Sequence, residues 1–229
     1  PMIVNPASGY IQNCNSSPFE TTVGDDNPKE ADYSPTFGIE TKMSNRATRA
    51  RELFDPDESI TPEEFIAYKF DTHYSEHSGV AKGIADLVAA PAPDDPVVRK
   101  GLDRIRAWDL NTHIENTSAA IALLTLQPDS NGGIKAGSVE QMHANLAKYG
   151  RILEKTHGRM DLPYGEFNRI DRGTVNEPIN GGADTLRAVY SLHMVAGELN
   201  SIEGGWVAGK GGDSYGSIAV WAKCGHFAP

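Results

Sequence analysis

Asn5-Pro-Ala-Ser-Gly-Tyr-Ile-Gln-Asn-Cys-Asn-Ser-Ser-Pro-Phe19 opens the chain with a Pro–Gly turn, a strand-like run and a cluster of small polar amides. If Gly9 to Asn15 is extended, alternate side chains share a face. Tyr10, Gln12 and Cys14 then point one way, and Ile11, Asn13 and Asn15 the other. Asn and Gly are poor strand formers. Two amides on one face, just before the break at Ser16–Ser17–Pro18, therefore call for a reason beyond strand formation. One reason is ordinary: Asn side chains cap loop backbone. The other is chemical, since a side-chain amide fixed at the end of a strand is a neutral, two-pronged donor. Taken alone, these residues leave both open.

The 229 residues suit one compact domain or two small ones, and 39% hydrophobic content is enough for a core. A formal net charge of −10 and a pI near 5.1 argue against nucleic acid or anionic lipid as a partner. No apolar run approaches the roughly 20 residues a membrane span needs. Cys14 and Cys224 lie near opposite ends. They either pair in an oxidising compartment or stay as two thiols. The chain begins at Pro1–Met2 and stops at Cys224-Gly-His-Phe-Ala-Pro229 without a closing element, so it is expected to be a piece of a longer polypeptide.

Residues 16–44 form a polar stretch rich in Pro, Gly, Asp and Thr, longer than an ordinary connection. Helix signals start at Ser44 or Asn45, with Arg46, Arg49 and Arg51 expected to be exposed. Thr61, Pro62 and Glu64 spell an N-cap, a first helical position and a capping box, and Ile60 and Phe65 are spaced for a hydrophobic staple. Further helices are expected over Gly79 to Ala89 and Val97 to about Trp108. The nearly all-apolar Ser118 to Leu126 reads as a buried helix. Ser138 starts a long amphipathic helix, with Gln141 in the capping-box position and Gly158 as its stop.

From Leu162 the texture changes: Gly, Pro and Asn recur, and Thr185–Ser191 and Ser217–Trp221 are strand-like. The expected class is α+β and helix-rich. A strand plus long loop covers 1–43, a helical region 44–160 and returning strands 161–229, all within one unit. Strands at both ends of a helical middle make sense if they join a sheet completed by other residues.

The opening stretch resembles a signature of the β-chain of the penicillin acylase family, the N-terminal nucleophile amidohydrolases, whose pattern is roughly N-P-x-S-G-[YW]-[IVL]-x-N-x-N-x-[SP]-P. Further stretches agree in order: Ser44-Asn-Arg46-Ala-Thr-Arg49, Leu102 to Trp108–Asp109, Tyr164-Gly-Glu-Phe-Asn-Arg169, Gly181-Gly-Ala-Asp-Thr185 and Gly212-Asp-Ser-Tyr215. The closest flavour is the branch acting on acyl-homoserine lactones and aculeacin-type lipopeptides. The resemblance implies part of an αββα fold. It also implies cleavage of a linear amide by a serine whose free α-amine, released by autoproteolysis, is its own base. That serine, the base-side histidine and the backbone oxyanion donor would lie outside this chain, so the piece alone should be inactive.

By the same resemblance Asn15 is the oxyanion-hole amide, and Arg46 orients it. Asp184 orients the base network, and Asn13, about 6.6 Å back by strand geometry, contacts the substrate or a nearby loop. No cofactor is implied, though a structural calcium in the complete enzyme is compatible with it. The implied partners are the rest of the acylase (α-chain and N-terminal part of the β-chain) and a small acyl-amide substrate. The implied location is periplasmic or extracellular.

Rival readings exist. His73-x-x-Glu76-His77 has the spacing of an inverted zincin, which needs both histidines on one helical face. Pro1 could serve as a tautomerase-type base, although such chains are much smaller. A non-enzymatic helical binding module with an acidic face is a third. Asp25–Asp26, Asp55–Glu58 and Asp94–Asp95 lack EF-hand spacing, and the glycines at 204–212 do not form a dinucleotide loop.

Overall fold

Side-chain caps start most of the helices at the residues expected from the sequence. The computed structural model describes residues 2–128, 134–189, 194–195, 198–199, 207–209 and 211–212. Seven α-helices lie among them: α1 (Asn45–Phe54), α2 (Pro62–Lys69), α3 (Gly79–Ala89), α4 (Pro96–Arg106), α5 (Ala119–Thr125), α6 (Val139–His157) and α7 (Tyr164–Phe167). Ser44 Oγ accepts from Ala47 N at the start of α1, and Ser78 and Ser138 do the same for α3 and α6. Thr61 and Glu64 form the reciprocal capping box of α2. Gln141 does not complete one: its side chain donates to Asn145 instead. Gly158, at φ 71°, ends α6 in the left-handed conformation.

The core gathers where α4, α5 and α6 meet. Every residue of α5 is buried, as an all-apolar helix requires. Leu102 and Ile105 of α4 and Met142, Leu146 and Leu153 of α6 close over it. The helix expected to reach Trp108 stops at Arg106, but the Trp108 indole stays in the core and donates Nε1 to Asn111 O at 2.9 Å. Phe65, spaced as a staple partner for Ile60, stacks on Phe54.

Short hairpin strands β1 (Gln127–Pro128) and β2 (Ile134–Lys135) bridge α5 and α6. A mixed three-stranded sheet follows. Strand β3 (Asn168–Arg172) pairs antiparallel with β4 (Val175–Pro178) and parallel with a later strand, Val207–Ala208. Met194–Val195 and Glu198–Leu199 form a further antiparallel pair. The architecture is α+β and helix-rich. The strand expected over Thr185–Ser191 reduces to bridges at Ala188 and Val189 within the described residues, and Ser217–Trp221 and Cys224 lie outside them.

The opening strand is not formed. Gln12 N donates to Thr21 O at 2.8 Å, one bond where a ladder needs a series, and Asn15 turns out of extended conformation at φ 57°. The two-face alternation survives nonetheless: Gln12 is buried, while Ile11, Asn13 and Asn15 are exposed. Residues 16–44 carry 3₁₀ turns at Pro18–Glu20, Glu30–Asp32 and Pro35–Phe37. Together with Phe19 these turns shape a groove of about 630 Å³ lined by Tyr33, Pro35 and Ile39 among others.

Arg49 and Arg51 are half-buried rather than exposed, because each has carboxylates to pair with. Arg51 reaches Glu20 at 2.8 Å. Arg49 forks onto Asp71 at 3.0 and 3.2 Å and reaches Glu52, tying α1 to the segment after α2. His73 sits in an isolated bridge to Asn111, with its ring on Asp71 Oδ2. The His73-x-x-Glu76-His77 spacing therefore falls on extended chain and a turn, not a helix, which removes the geometry a zincin needs. Among the described residues no three His, Cys, Asp or Glu side chains are grouped to hold a metal ion.

Two stability outcomes follow from this packing. Replacing a mid-helix glycine by alanine ordinarily gains up to about 1 kcal/mol of helix propensity. At Gly83 in α3 the new Cβ would stand 2.1 Å from Ala136 Cβ, which has no rotamer to relieve the clash. Overpacking of this kind costs about 1–3 kcal/mol, so Gly83→Ala should lower the midpoint of denaturant unfolding rather than raise it.

Asp71 gives a pH signature. Burial alone would raise its carboxyl, but the His73 ring, the Arg49 fork and the His73 backbone N–H outweigh that and hold it at about 2. The folded state thus favours the carboxylate. This stabilisation is fully present above an ordinary Asp pKa of about 4, amounts to roughly 2 kcal/mol, and is lost as pH falls through about 2. Asp71→Asn should destabilise by that order at pH 6. The gap to wild type in urea melts should close between pH 4 and pH 2.

Candidate functional site

Three consecutive residues at the α1 start reach both the opening segment and the late loop. Ser44 Oγ, while capping the helix, donates to Cys14 O at 3.2 Å. Asn45 is buried and donates its backbone N–H to Asp184 Oδ2 at 2.8 Å and its Nδ2 to Asp184 O at 2.7 Å. Arg46 places both terminal nitrogens 3.3 Å from Asn15 Oδ1 and its Nε 3.1 Å from Asp184 Oδ1. Asn15, Arg46 and Asp184, far apart in sequence, are thus brought into one hydrogen-bonded row.

The direction of Asn15 follows from that row. An oxygen that accepts from two guanidinium N–H groups must be the carbonyl oxygen, so the NH₂ faces the other way. Among the described residues Nδ2 has no hydrogen-bond partner, and the side chain is exposed. Pairing the carbonyl with a cation also draws electron density from the amide nitrogen and strengthens it as a donor. Arg46 is half-buried, with its side chain 22% exposed, and so does not project into solvent as a helix-start arginine usually would. Asn13 caps loop backbone: its Oδ1 accepts from Asn15 N at 3.0 Å. That bond closes the turn in which Asn15 takes its positive φ.

The Asp184 side is built with equal care. Asp184 has φ 65°, a left-handed conformation that Asp tolerates better than most residues. The loop before it is held at each carbonyl. Tyr164 OH and Asn168 Nδ2 both donate to Gly181 O, at 3.0 and 3.2 Å, and Tyr74 OH donates to Ala183 O at 2.5 Å. Gly181 N donates in turn to Thr112 O at 3.1 Å. A side chain at Gly181 would collide with Arg187 O at 2.0 Å, and φ is 98° there, so only glycine fits. The late motif Tyr164-Gly-Glu-Phe-Asn168 therefore serves the site indirectly, by fixing the loop that carries Asp184.

The electrostatics follow from burial. Desolvation pushes the Cys14 thiol up, against the pull of nearby Arg46, so it stays neutral beside the site. Burial raises the Tyr74 and Tyr164 phenols well above their usual range, which keeps them protonated as the donors the loop needs. Phe70, beside Lys69 and Arg187, adds a half-exposed aromatic face to the same region.

Ser44, Asn45, Tyr74 and Ser75 were not read from the sequence as site residues. Asn45 left one signal: an amide at the first helical position, where it gains nothing as a helix former.

Residues 1–201 match the family model described as Penicillin amidase. The matched span includes Asn13, Asn15, Arg46 and Asp184.

Proposed function

The chain belongs to the penicillin amidase family, and on that premise we propose that it forms part of an acylase in which Asn15 Nδ2 is an oxyanion-hole donor. The observation that carries this reading is the Arg46 fork on Asn15 Oδ1, which leaves the NH₂ exposed. The nucleophile is a serine hydroxyl outside this chain, with its own α-amine as base. Its oxygen bonds to the acyl carbon, its proton passes by way of the amine to the leaving nitrogen, and the C–N bond breaks. Water then releases the acid from the acyl-enzyme.

In both tetrahedral intermediates negative charge gathers on the former carbonyl oxygen. A donor already held in place stabilises that charge without reorganising. Asn15 supplies the donor, Arg46 its direction and part of the positive field, and Asp184 the anchor that keeps Arg46 from turning towards the oxyanion as a competing partner. Asn13 enters as the residue that sets the Asn15 turn. The substrate is an N-acyl compound cleaved at a linear amide: a β-lactam side chain, an acyl-homoserine lactone or a lipopeptide, with the long-chain amides preferred on the sequence flavour. A periplasmic or extracellular location goes with that reading.

Loss of one oxyanion donor costs about 10²–10³ in kcat. In the complete processed enzyme Asn15→Ala should show that loss with KM little changed, measured by steady-state hydrolysis of a chromogenic acyl amide. A kcat near wild type would overturn the assignment. The isolated 229-residue chain should show no turnover of the same substrate, and measurable turnover would place the nucleophile within it.

A further inference from the structure

Every polar atom of the Asn45 side chain is engaged, and the residue is only 7% exposed. Its Oδ1 accepts from Ser75 N at 2.8 Å, its Nδ2 donates to Asp184 O, and its backbone N–H donates to the Asp184 carboxylate. We propose that Asn45 is a positioning residue: by locking Asp184 behind Arg46, it fixes the direction in which Asn15 presents its NH₂. The proposal rests on the reading of Asn15 as the oxyanion donor.

The geometry of the lock is closed. Asp184 is held through its main-chain carbonyl and one carboxylate oxygen by the same residue, which leaves the other oxygen, Oδ1, for Arg46 Nε. Two bonds to one neighbour restrict rotation of the carboxylate and also hold residue 184 in its left-handed backbone conformation. Arg46 is the next residue along the same helix turn, so the positions of clamp and guanidinium are set by one rigid element. Ser44, one residue earlier, holds the carbonyl of Cys14 next to Asn15. Three consecutive side chains thus fix the two ends and the middle of the row. Ser75 N, on the far side of Asn45, prevents the amide from flipping, because a reversed amide would point NH₂ at N–H.

Without the Nδ2 donor, the Asp184 carbonyl loses its partner, and on that side residue 184 is left with the single bond from the Asn45 backbone N–H to its carboxylate. Arg46 then follows a looser anchor, and the Asn15 amide samples directions away from the oxyanion. Misplacement on the order of 1 Å costs up to about 10²-fold in rate. The cost falls on kcat, because Asn45 touches neither substrate nor oxyanion.

A double-mutant cycle in the complete processed enzyme separates this role from general support of the fold. Hydrolysis of a chromogenic acyl amide is measured for Asn45→Ala, Asn15→Ala and the double variant. Asn45→Ala should lower kcat by roughly ten- to a hundred-fold with KM nearly unchanged. In the Asn15→Ala background the same substitution should have almost no effect, since the group it positions is gone. An equal loss in both backgrounds overturns the proposal, as does a wild-type kcat for Asn45→Ala. A wild-type kcat for Asn15→Ala instead overturns the oxyanion reading beneath it. Should Asn45→Ala fail to fold, Asn45→Asp keeps the acceptor for Ser75 N and replaces the donor to Asp184 O by an oxygen that repels it. The same cycle is then read on that variant, with the same two outcomes deciding.

Discussion

One guanidinium holds the site together. Arg46 lies between an amide oxygen from the opening segment and a carboxylate from the late loop, and both contacts use its planar, fixed fork. A lysine could supply the charge but not two directions at once. Because Asp184 balances the cation, Arg46 can be half-buried without an uncompensated charge, while its two terminal nitrogens define the orientation of Asn15. The rest of the described structure exists, from the site's point of view, to keep those three groups in one row.

Two kinds of support do that. Helix α1 contributes a rigid start, where capping by Ser44 and the buried Asn45 set the position of Arg46. The Gly181–Asp184 loop contributes a backbone pinned at the Gly181 and Ala183 carbonyls by Tyr164, Asn168 and Tyr74. Both tyrosines and Asn168 are themselves buried, and Tyr74 and Tyr164 belong to the hydrophobic core. Packing around α5 therefore passes into the loop through hydroxyl groups whose acidity burial suppresses. The row inherits the rigidity of the core, although its Asn15 end is exposed.

The left-handed conformations at Asn15 and Asp184 fit the same account. Each costs some backbone energy in a non-glycine residue, and each is held by a hydrogen bond, from neighbouring Asn13 in one case and distant Asn45 in the other. Asn and Asp tolerate that region better than other residues, so the residues at the two ends of the row also take the turns that bring them there. This is also why the opening stretch is no strand. A residue at positive φ leaves the pleat, and Pro18 removes a donor soon afterwards.

What the sequence determined by itself was local and periodic. Ser44, Thr61, Ser78 and Ser138 set where helices begin, Gly158 set where one ends, and the apolar run at 119–125 had to be buried, because caps and hydrophobic spacing act within a few residues. The order of motifs was enough to place the chain in its family, and it marked Asn15, Arg46 and Asp184 individually. Only the tertiary structure decided that Asp184 joins Arg46 and Asn15 in one row, that Asn45 holds Asp184, and that Asn13 serves the turn. Those facts depend on bonds between residues 31 to 139 positions apart, or on a backbone turn that alternating polarity hides. No local propensity encodes which distant carbonyl a buried amide will find.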